Sequence, residues 1–162
     1  FGFWYIVLNL HFFLKLEQLF AFQAETTLTI LFWIVFVTKL TDVGGFFVGC
    51  SVGKHRLAPA VSPKKTWEGV LGGFLFATLG GFLLFYLLPH FPQNFRVLHC
   101  FIFSVILAWG SIVSDLLESL IKRQLQTKDS GTTIPGIGGI LDLIDSLLLN
   151  LPLSYILFKY FV

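Results

Sequence analysis

The sequence predicts an all-α, polytopic integral membrane protein. Of its 162 residues, 56% are hydrophobic and only 12% are charged, whereas a soluble domain is usually about one quarter charged. The mean hydropathy is +0.83. Polar loops separate five apolar segments, roughly 1–16, 28–48, 70–89, 97–117 and 140–162. Because about 20 apolar residues in a helix cross the ~30 Å hydrocarbon core, we expect about five transmembrane helices.

The segments differ in what they carry. The first is short, and the chain begins at Phe1 within an apolar run and contains no Met. We therefore expect a fragment that lacks its N-terminal helices. The third segment holds two glycine pairs, at 72–73 and 80–81, which favour close helix packing. The last segment keeps two carboxylates, Asp142 and Asp145, although it is long enough to span a membrane.

Two long loops contain most of the basic residues. Loops 49–69 and 118–139 are separated by two crossings, so they are expected on the same side of the membrane. The opposite side holds only Lys15 and Arg96. The positive-inside rule therefore makes the two long loops cytoplasmic. Their basic residues are Lys54, Arg56, Lys64, Lys65, Lys122, Arg123 and Lys128.

Four aspartates lie in or at the ends of apolar segments: Asp42, Asp115, Asp142 and Asp145. An Asp at the centre of a membrane helix costs about 2.5–3.5 kcal/mol on insertion scales, and less near the ends. End-of-helix capping or snorkelling is the structural alternative, and it applies best to Asp42. Four such residues together indicate a functional site.

The spacing of the acidic residues indicates a metal site. Asp142 and Asp145 are three residues apart and share a helix face, as do Asp115 and Glu118 on the preceding segment. Two acidic faces that meet in a low dielectric repel each other unless a cation lies between them. Carboxylate oxygens suit Mg²⁺, which usually takes phosphate oxygens as further ligands. Ser119 and Lys122 continue the Asp115 face.

The stretch "VSPKKTWEG" indicates an anion site. Ser62 is a good N-cap and Pro63 a good first helical residue, which predicts Lys64 and Lys65 in the first turn of a helix. Cations have the wrong sign for that end of the helix dipole, and a bound anion would remove the conflict. A basic loop attracted to anionic lipid is the alternative.

Two stretches resemble the phosphatidate cytidylyltransferases, or CDP-diacylglycerol synthases. They are "SDLLESLIKRQLQTKDSGTTIPGIGGILDLIDS" and "TDVGGFFVGCSVGKHRLAPAVSPKKTWEG", which together span about 42–146. The resemblance implies one membrane catalytic domain over 1–162, in a bacterial inner membrane with its active site facing the cytoplasm. It implies formation of CDP-diacylglycerol and pyrophosphate from CTP and phosphatidic acid, with Mg²⁺ and K⁺. A homodimer is expected, and no nucleic-acid partner.

Residue roles follow from the same resemblance. It implies metal ligation by Asp115, Asp142 and Asp145, with Lys122 and Arg123 also catalytic. It implies substrate binding by Ser62, Lys64, Lys65, Thr66, Glu68, Ser119, Lys128 and Asp129. Two positions depart from the family pattern: its His is Ile137 here, and its Arg is Leu143. Either other residues compensate for these two contacts or activity is reduced.

Two other functions remain open on the sequence. A CTP-dependent lipid kinase of related architecture would need a base for a neutral hydroxyl, and its products would be CDP and a lipid phosphate. An ion-coupled transporter could use membrane carboxylates as a relay. It would leave the gathering of basic residues over the acids unexplained.

Overall fold

The computed structural model describes residues 2–20, 23–59, 61–124 and 140–162. Most of these residues are helical, and a short hairpin stands between the second and third helices. The helices are α1 (Gly2–Leu19), α2 (Ala24–Val52), α3 (Trp67–Leu87), α4 (Val97–Gln124) and α5 (Ile140–Phe161). The hairpin strands are β1 (Arg56–Ala58) and β2 (Ser62–Thr66).

Within the described residues, α2, α3 and α4 are long and apolar enough to cross a membrane. This confirms a mainly helical membrane protein. The expected number of spans was larger, at about five. The helices also extend beyond the apolar segments: α2 begins at Ala24 and ends at Val52, whereas its apolar run covers roughly 28–48.

The hairpin corrects two expectations. The fold is not purely helical, and Ser62–Thr66 form a strand where the start of a helix was expected. β2 pairs antiparallel with β1, with Arg56 opposite Thr66. The helix begins four residues later than the Ser-Pro signal indicates. Its N-cap is Thr66, whose hydroxyl accepts a hydrogen bond from Gly69 N at 3.1 Å.

The hairpin, the end of α4 and the start of α5 meet at one end of the bundle. Lys65 on β2 pairs with Asp115 on α4 at 2.9 Å. Arg123, in the last turn of α4, donates from Nε to Val61 O at 3.4 Å. These contacts bring the two basic loop regions of the sequence to the same end, as the count of crossings predicts.

An aromatic core closes the opposite end. Phe103 packs edge-on against Phe158 with ring centroids 5.2 Å apart, and Phe95 stacks on Phe158 at 5.5 Å. All three side chains are buried. Asn94 Nδ2 donates to the carbonyl of Val162 at 3.2 Å, which fastens the end of α5 there. The end of the bundle opposite the hairpin is therefore apolar and closely packed.

Helices α2 and α3 approach closely at glycines. A Cβ added at Gly44 would lie 2.7 Å from the carbonyl oxygen of Gly72 and 2.6 Å from Phe76 Cβ. The neighbouring Gly45 has more room, since its nearest atom would be Gly69 O at 3.6 Å. The close packing expected from the glycine-rich sequence of α3 is confirmed.

Gly44→Ala should therefore destabilise the protein by about 1–3 kcal/mol, because the helix backbones must separate. Gly45→Ala is the matched control, with the same change one residue away. We expect a lower midpoint of thermal unfolding in detergent for Gly44→Ala and little change for Gly45→Ala. Equal midpoints would show that the α2–α3 contact is looser than the structure indicates.

Candidate active site

A cavity of about 330 Å³ lies between the second half of α2, the hairpin, the start of α3 and α4. Basic and acidic side chains from separate elements face it together. Glycines of α2 and α3 complete its wall, including Gly45, Gly49 and Gly69. The polar residues that line it include Thr41, Asp42, Ser62, Lys64, Lys65, Thr66 and Asp115.

Lys65 is a cavity-lining cation that contacts an acid of α4. Its Nζ lies 2.9 Å from Asp115 Oδ2, and both side chains are about one quarter to one third exposed, at 26% and 30%. Lys65 extends from β2, whose residues Ser62 and Thr66 also line the cavity. Lys64 is more exposed but also lines the cavity. The cavity can therefore neutralise an anion that approaches Asp115.

Asp145 is a buried acid near Asp115, at 7% exposed, and is not part of the cavity wall. Its backbone carbonyl accepts from Ser114 Oγ at 2.7 Å, which fixes this turn of α5 against α4. Its carboxylate accepts from Ser146 N. It lies close enough to Asp115 and Glu118 to interact electrostatically with both. Asp145 of α5 therefore lies near the Asp115 and Glu118 face of α4, whereas the side chain of Asp142, the other acid of the expected α5 face, is not described.

A third acid, Asp42, joins the site from α2. Its Oδ2 lies 3.3 Å from Lys39 Nζ and accepts from Ser146 Oγ at 3.3 Å. Lys39 also donates to Ser146 Oγ at 3.2 Å. Asp42 lines the cavity and interacts with Asp115. The sequence singled out Asp42 as costly but gave it no site role, and it did not single out Lys39 or Ser146.

Lys122 and Arg123 contact protein groups beside the cavity. Lys122 Nζ pairs with Glu118 Oε1 at 2.9 Å, one turn back on α4. Arg123 reaches Val61 O in the hairpin. Ser119 is half-buried on the same helix and is not part of the cavity wall. These residues border the acidic cluster.

Glu68 accepts hydrogen bonds from the residues that precede β1. Its carboxylate accepts from Lys54 N at 3.1 Å and from His55 N at 3.2 Å, and it meets His55 Nδ1 at 2.7 Å. It is absent from the cavity wall. In the described structure, Glu68 holds residues 54–55 over the start of α3, and its predicted substrate-binding role stays a prediction.

Several expected site residues lie outside the described residues. Lys128, Asp129 and Ile137 fall in 125–139. Asp142 and Leu143 belong to the first turn of α5, but their side chains are not described. Their predicted roles stay predictions.

The donor chemistry of the described acids is compatible with Mg²⁺. Within residues 2–20, 23–59, 61–124 and 140–162, no group of three or more His, Cys, Asp or Glu side chains forms a complete metal site. Mg²⁺ is usually held by one or two carboxylates together with phosphate oxygens. Asp115 and Asp145, from different helices, supply such a pair. A cation between them would also relieve the repulsion of buried like charges.

Comparisons with known proteins agree with the motifs. The sequence model of the Cytidylyltransferase family matches residues 1–161. A phosphatidate cytidylyltransferase of Bacillus subtilis is 36% identical over 97% of this chain and 56% of its own length. Those of Haemophilus influenzae and Thermotoga maritima are 39% and 37% identical over 83% and 96% of this chain, and 46% and 56% of their own lengths. The chain spans about half the length of the curated relatives it matches.

Proposed function

Because the chain belongs to the cytidylyltransferase family, we propose that it carries the active site of a phosphatidate cytidylyltransferase. The reaction transfers CMP from CTP to phosphatidic acid and yields CDP-diacylglycerol and pyrophosphate. The observation that carries the proposal is one cavity where acids from α2 and α4 meet lysines of the hairpin, with Asp145 of α5 beside Asp115. Such a cavity suits two phosphate-bearing substrates and a divalent cation.

The chemistry places modest demands on the protein. A phosphate oxygen of phosphatidic acid attacks the α-phosphorus of CTP in line and forms the new P–O bond. The bond from the α-phosphorus to the bridging oxygen breaks, and pyrophosphate leaves with that electron pair. Because the nucleophile is already an anion at pH 7, no strong general base is required. Positioning and charge neutralisation supply most of the acceleration.

The described residues divide these tasks. Lys65 and Lys64 bind and orient phosphate groups from the hairpin side. Asp115 and Asp145 would hold Mg²⁺, with Asp142 as a further ligand from α5, and K⁺ would be the second cation. When bound, Mg²⁺ neutralises phosphate charge and polarises the P–O bonds. Asp42 orients the acidic cluster from α2, through its contacts with Lys39 and Ser146.

The membrane arrangement is part of the proposal. All five helices cross a bacterial inner membrane, and the two basic loops face the cytoplasm. The protein forms a homodimer. Support comes from the meeting of the hairpin, α4 and α5 at one end and from the charge bias of the loops. The acyl chains of phosphatidic acid stay in the bilayer while its head group reaches the cavity.

The direct test supplies the full-length parent protein with Mg²⁺, phosphatidic acid and CTP labelled in the cytosine. A labelled lipid is the expected product. In a parallel reaction with a lipid alcohol in place of phosphatidic acid, labelled CDP together with a new lipid phosphate would show a kinase. No nucleotide-derived product in a folded, membrane-inserted preparation would remove the proposal.

Cys50 gives a test of the cavity that is independent of turnover. It is an exposed thiol on the cavity wall, whereas Cys100 is fully buried in α4. CTP with Mg²⁺ should slow maleimide labelling of Cys50 severalfold, because the nucleotide covers it. Cys50→Ser supplies the background from Cys100. A rate of Cys50 labelling that CTP does not change would show that the nucleotide binds elsewhere.

A further inference from the structure

A cluster of buried polar side chains joins three helices beneath the cavity. Asn150 of α5 is fully buried. Its Nδ2 lies within hydrogen-bond distance of three acceptors, Thr38 Oγ1 of α2 at 2.9 Å and Leu107 O and Ser111 Oγ of α4 at 3.1 and 2.9 Å, and its two protons are shared among them. Leu107 O can only accept, which fixes the orientation of the amide. One side chain therefore ties α5 to both neighbouring helices.

The same helices are joined again one turn nearer the cavity. Ser146, four residues before Asn150, bonds to Asp42, four residues after Thr38. Residues four apart on a helix share a face. The bonds of Asn150 and of Ser146 thus form two levels of one polar seam along α2 and α5. A shift of α5 along its axis would break both levels together.

The polar seam fixes the position of Asp145 along the axis of α5. Asp145 and Asn150 are five residues apart, about 7.5 Å along the helix. Ser114 bonds to the Asp145 carbonyl on the α4 side. The position of Asp145 against Asp115 is therefore set by the Ser114 bond at its own carbonyl, by the Ser146 bond one residue further on and, deeper in the bundle, by the bonds of Asn150.

Helix association alone does not account for Asn150. Interhelical polar bonds in membranes are worth only ~0.6–2 kcal/mol. Asn150 Oδ1 finds no partner among the described residues, although it is buried. That oxygen faces Gly110, where a Cβ would lie 2.1 Å from it. An apolar side chain would avoid this unpaired oxygen, so the amide is retained at a cost.

We propose that Asn150 is a positioning residue, which sets the register of α5 so that Asp145 meets Asp115. The proposal rests on the proposed function, since that register matters for catalysis. It predicts that loss of the amide lowers kcat with little loss of folding. A displacement near 1 Å at a reacting centre can cost ~100-fold in rate.

Two variants perturb the register by different routes. Asn150→Leu removes the amide and keeps a side chain of similar size. Gly110→Ala keeps the amide but pushes it from its acceptors. Ser154→Ala is the matched control, because Ser154 Oγ donates only to the carbonyl of Asn150 within α5 at 2.7 Å. Asn150→Gln tests whether an amide one carbon longer restores part of the function.

The readouts are kcat, KM for CTP, Mn²⁺ binding by electron paramagnetic resonance and the thermal midpoint, all with the full-length parent. We expect Asn150→Leu and Gly110→Ala to lower kcat ~10- to 100-fold with KM nearly unchanged. Both variants should weaken Mn²⁺ binding measured without CTP. Asn150→Leu should keep the thermal midpoint of the parent, and Ser154→Ala should match the parent in every readout.

The outcomes separate this inference from the proposed function. Absence of a labelled lipid with the parent counts against the proposed function, and Mn²⁺ binding then decides the inference alone. Mn²⁺ binding that is equal in the parent, Asn150→Leu and Gly110→Ala, or absent from the parent, overturns the inference. A loss of kcat that only follows a lower thermal midpoint also overturns it, because Asn150 would then be structural.

Discussion

Replacing Asp145 with asparagine is expected to lower turnover at least ~10³-fold while the protein stays inserted and folded. A metal acting as Lewis acid contributes several kcal/mol, and each 1.36 kcal/mol is a factor of ten in rate. The amide keeps the shape of the carboxylate but removes its charge beside Asp115 and Glu118. The backbone bond from Ser114 does not involve the side chain and should persist.

Stability provides the second half of this prediction. Asp145 is only 7% exposed, and burying a neutral amide costs less than burying a charged carboxylate. The thermal midpoint of Asp145→Asn should therefore equal or exceed that of the parent. Glu25→Gln, the same change at an exposed acid at the other end of the bundle, should leave turnover unchanged. Near-normal turnover of purified Asp145→Asn would remove the metal-site argument.

Lys65→Ala is expected to lower kcat/KM for CTP ~100-fold, the cost typical of losing one positioned group that stabilises developing charge. Lys65 is the cation that contacts Asp115, at 2.9 Å. Without it the cavity gains an unpaired acid and loses a phosphate contact. Lys65→Arg should recover part of the loss, because it keeps the charge with a different geometry.

The matched control for this change is Lys159→Ala, on α5 at the far end of the bundle, where Lys159 stacks on tyrosine rings. Its kinetics should match those of the parent. The remaining alternative, that the hairpin is a lipid-surface patch, is tested by measuring binding to vesicles that contain anionic lipid. If Lys65→Ala weakened vesicle binding and left the kinetic constants intact, the hairpin would be a lipid-surface patch.

The five apolar segments predicted the positions of five helices, because a long apolar run favours a membrane helix, and three of these helices are long and apolar enough to cross a membrane. The sequence prediction failed at the hairpin for a definite reason. Ser62 and Thr66 are both acceptable N-caps, and the choice between them depends on pairing with Arg56–Ala58. That pairing is a contact between segments, which no local signal encodes. The Ser-Pro dipeptide therefore indicated a helix start four residues too early.

The acidic site was predictable in part. Spacing along one helix brought Asp115 and Glu118 to one face, and the structure places Asp145 beside them. Asp42 was undervalued because its partner Ser146 is 104 residues away. A usable signal was present, since Lys39 and Asp42 are three residues apart within an apolar segment, and such a pair in a membrane helix is costly.

The pairing of acids with lysines bears on how the chain enters the bilayer. Lys39–Asp42 and Glu118–Lys122 each lie within a single helix. Each pair can form as soon as its own helix does, so α2 and α4 can be inserted as nearly neutral segments. The Lys65–Asp115 pair joins the hairpin to α4 and forms only after α3 and α4 have met. The pairs within α2 and α4 would thus offset part of the charge of each helix as it enters the bilayer, and the Lys65–Asp115 pair would follow when the helices pack.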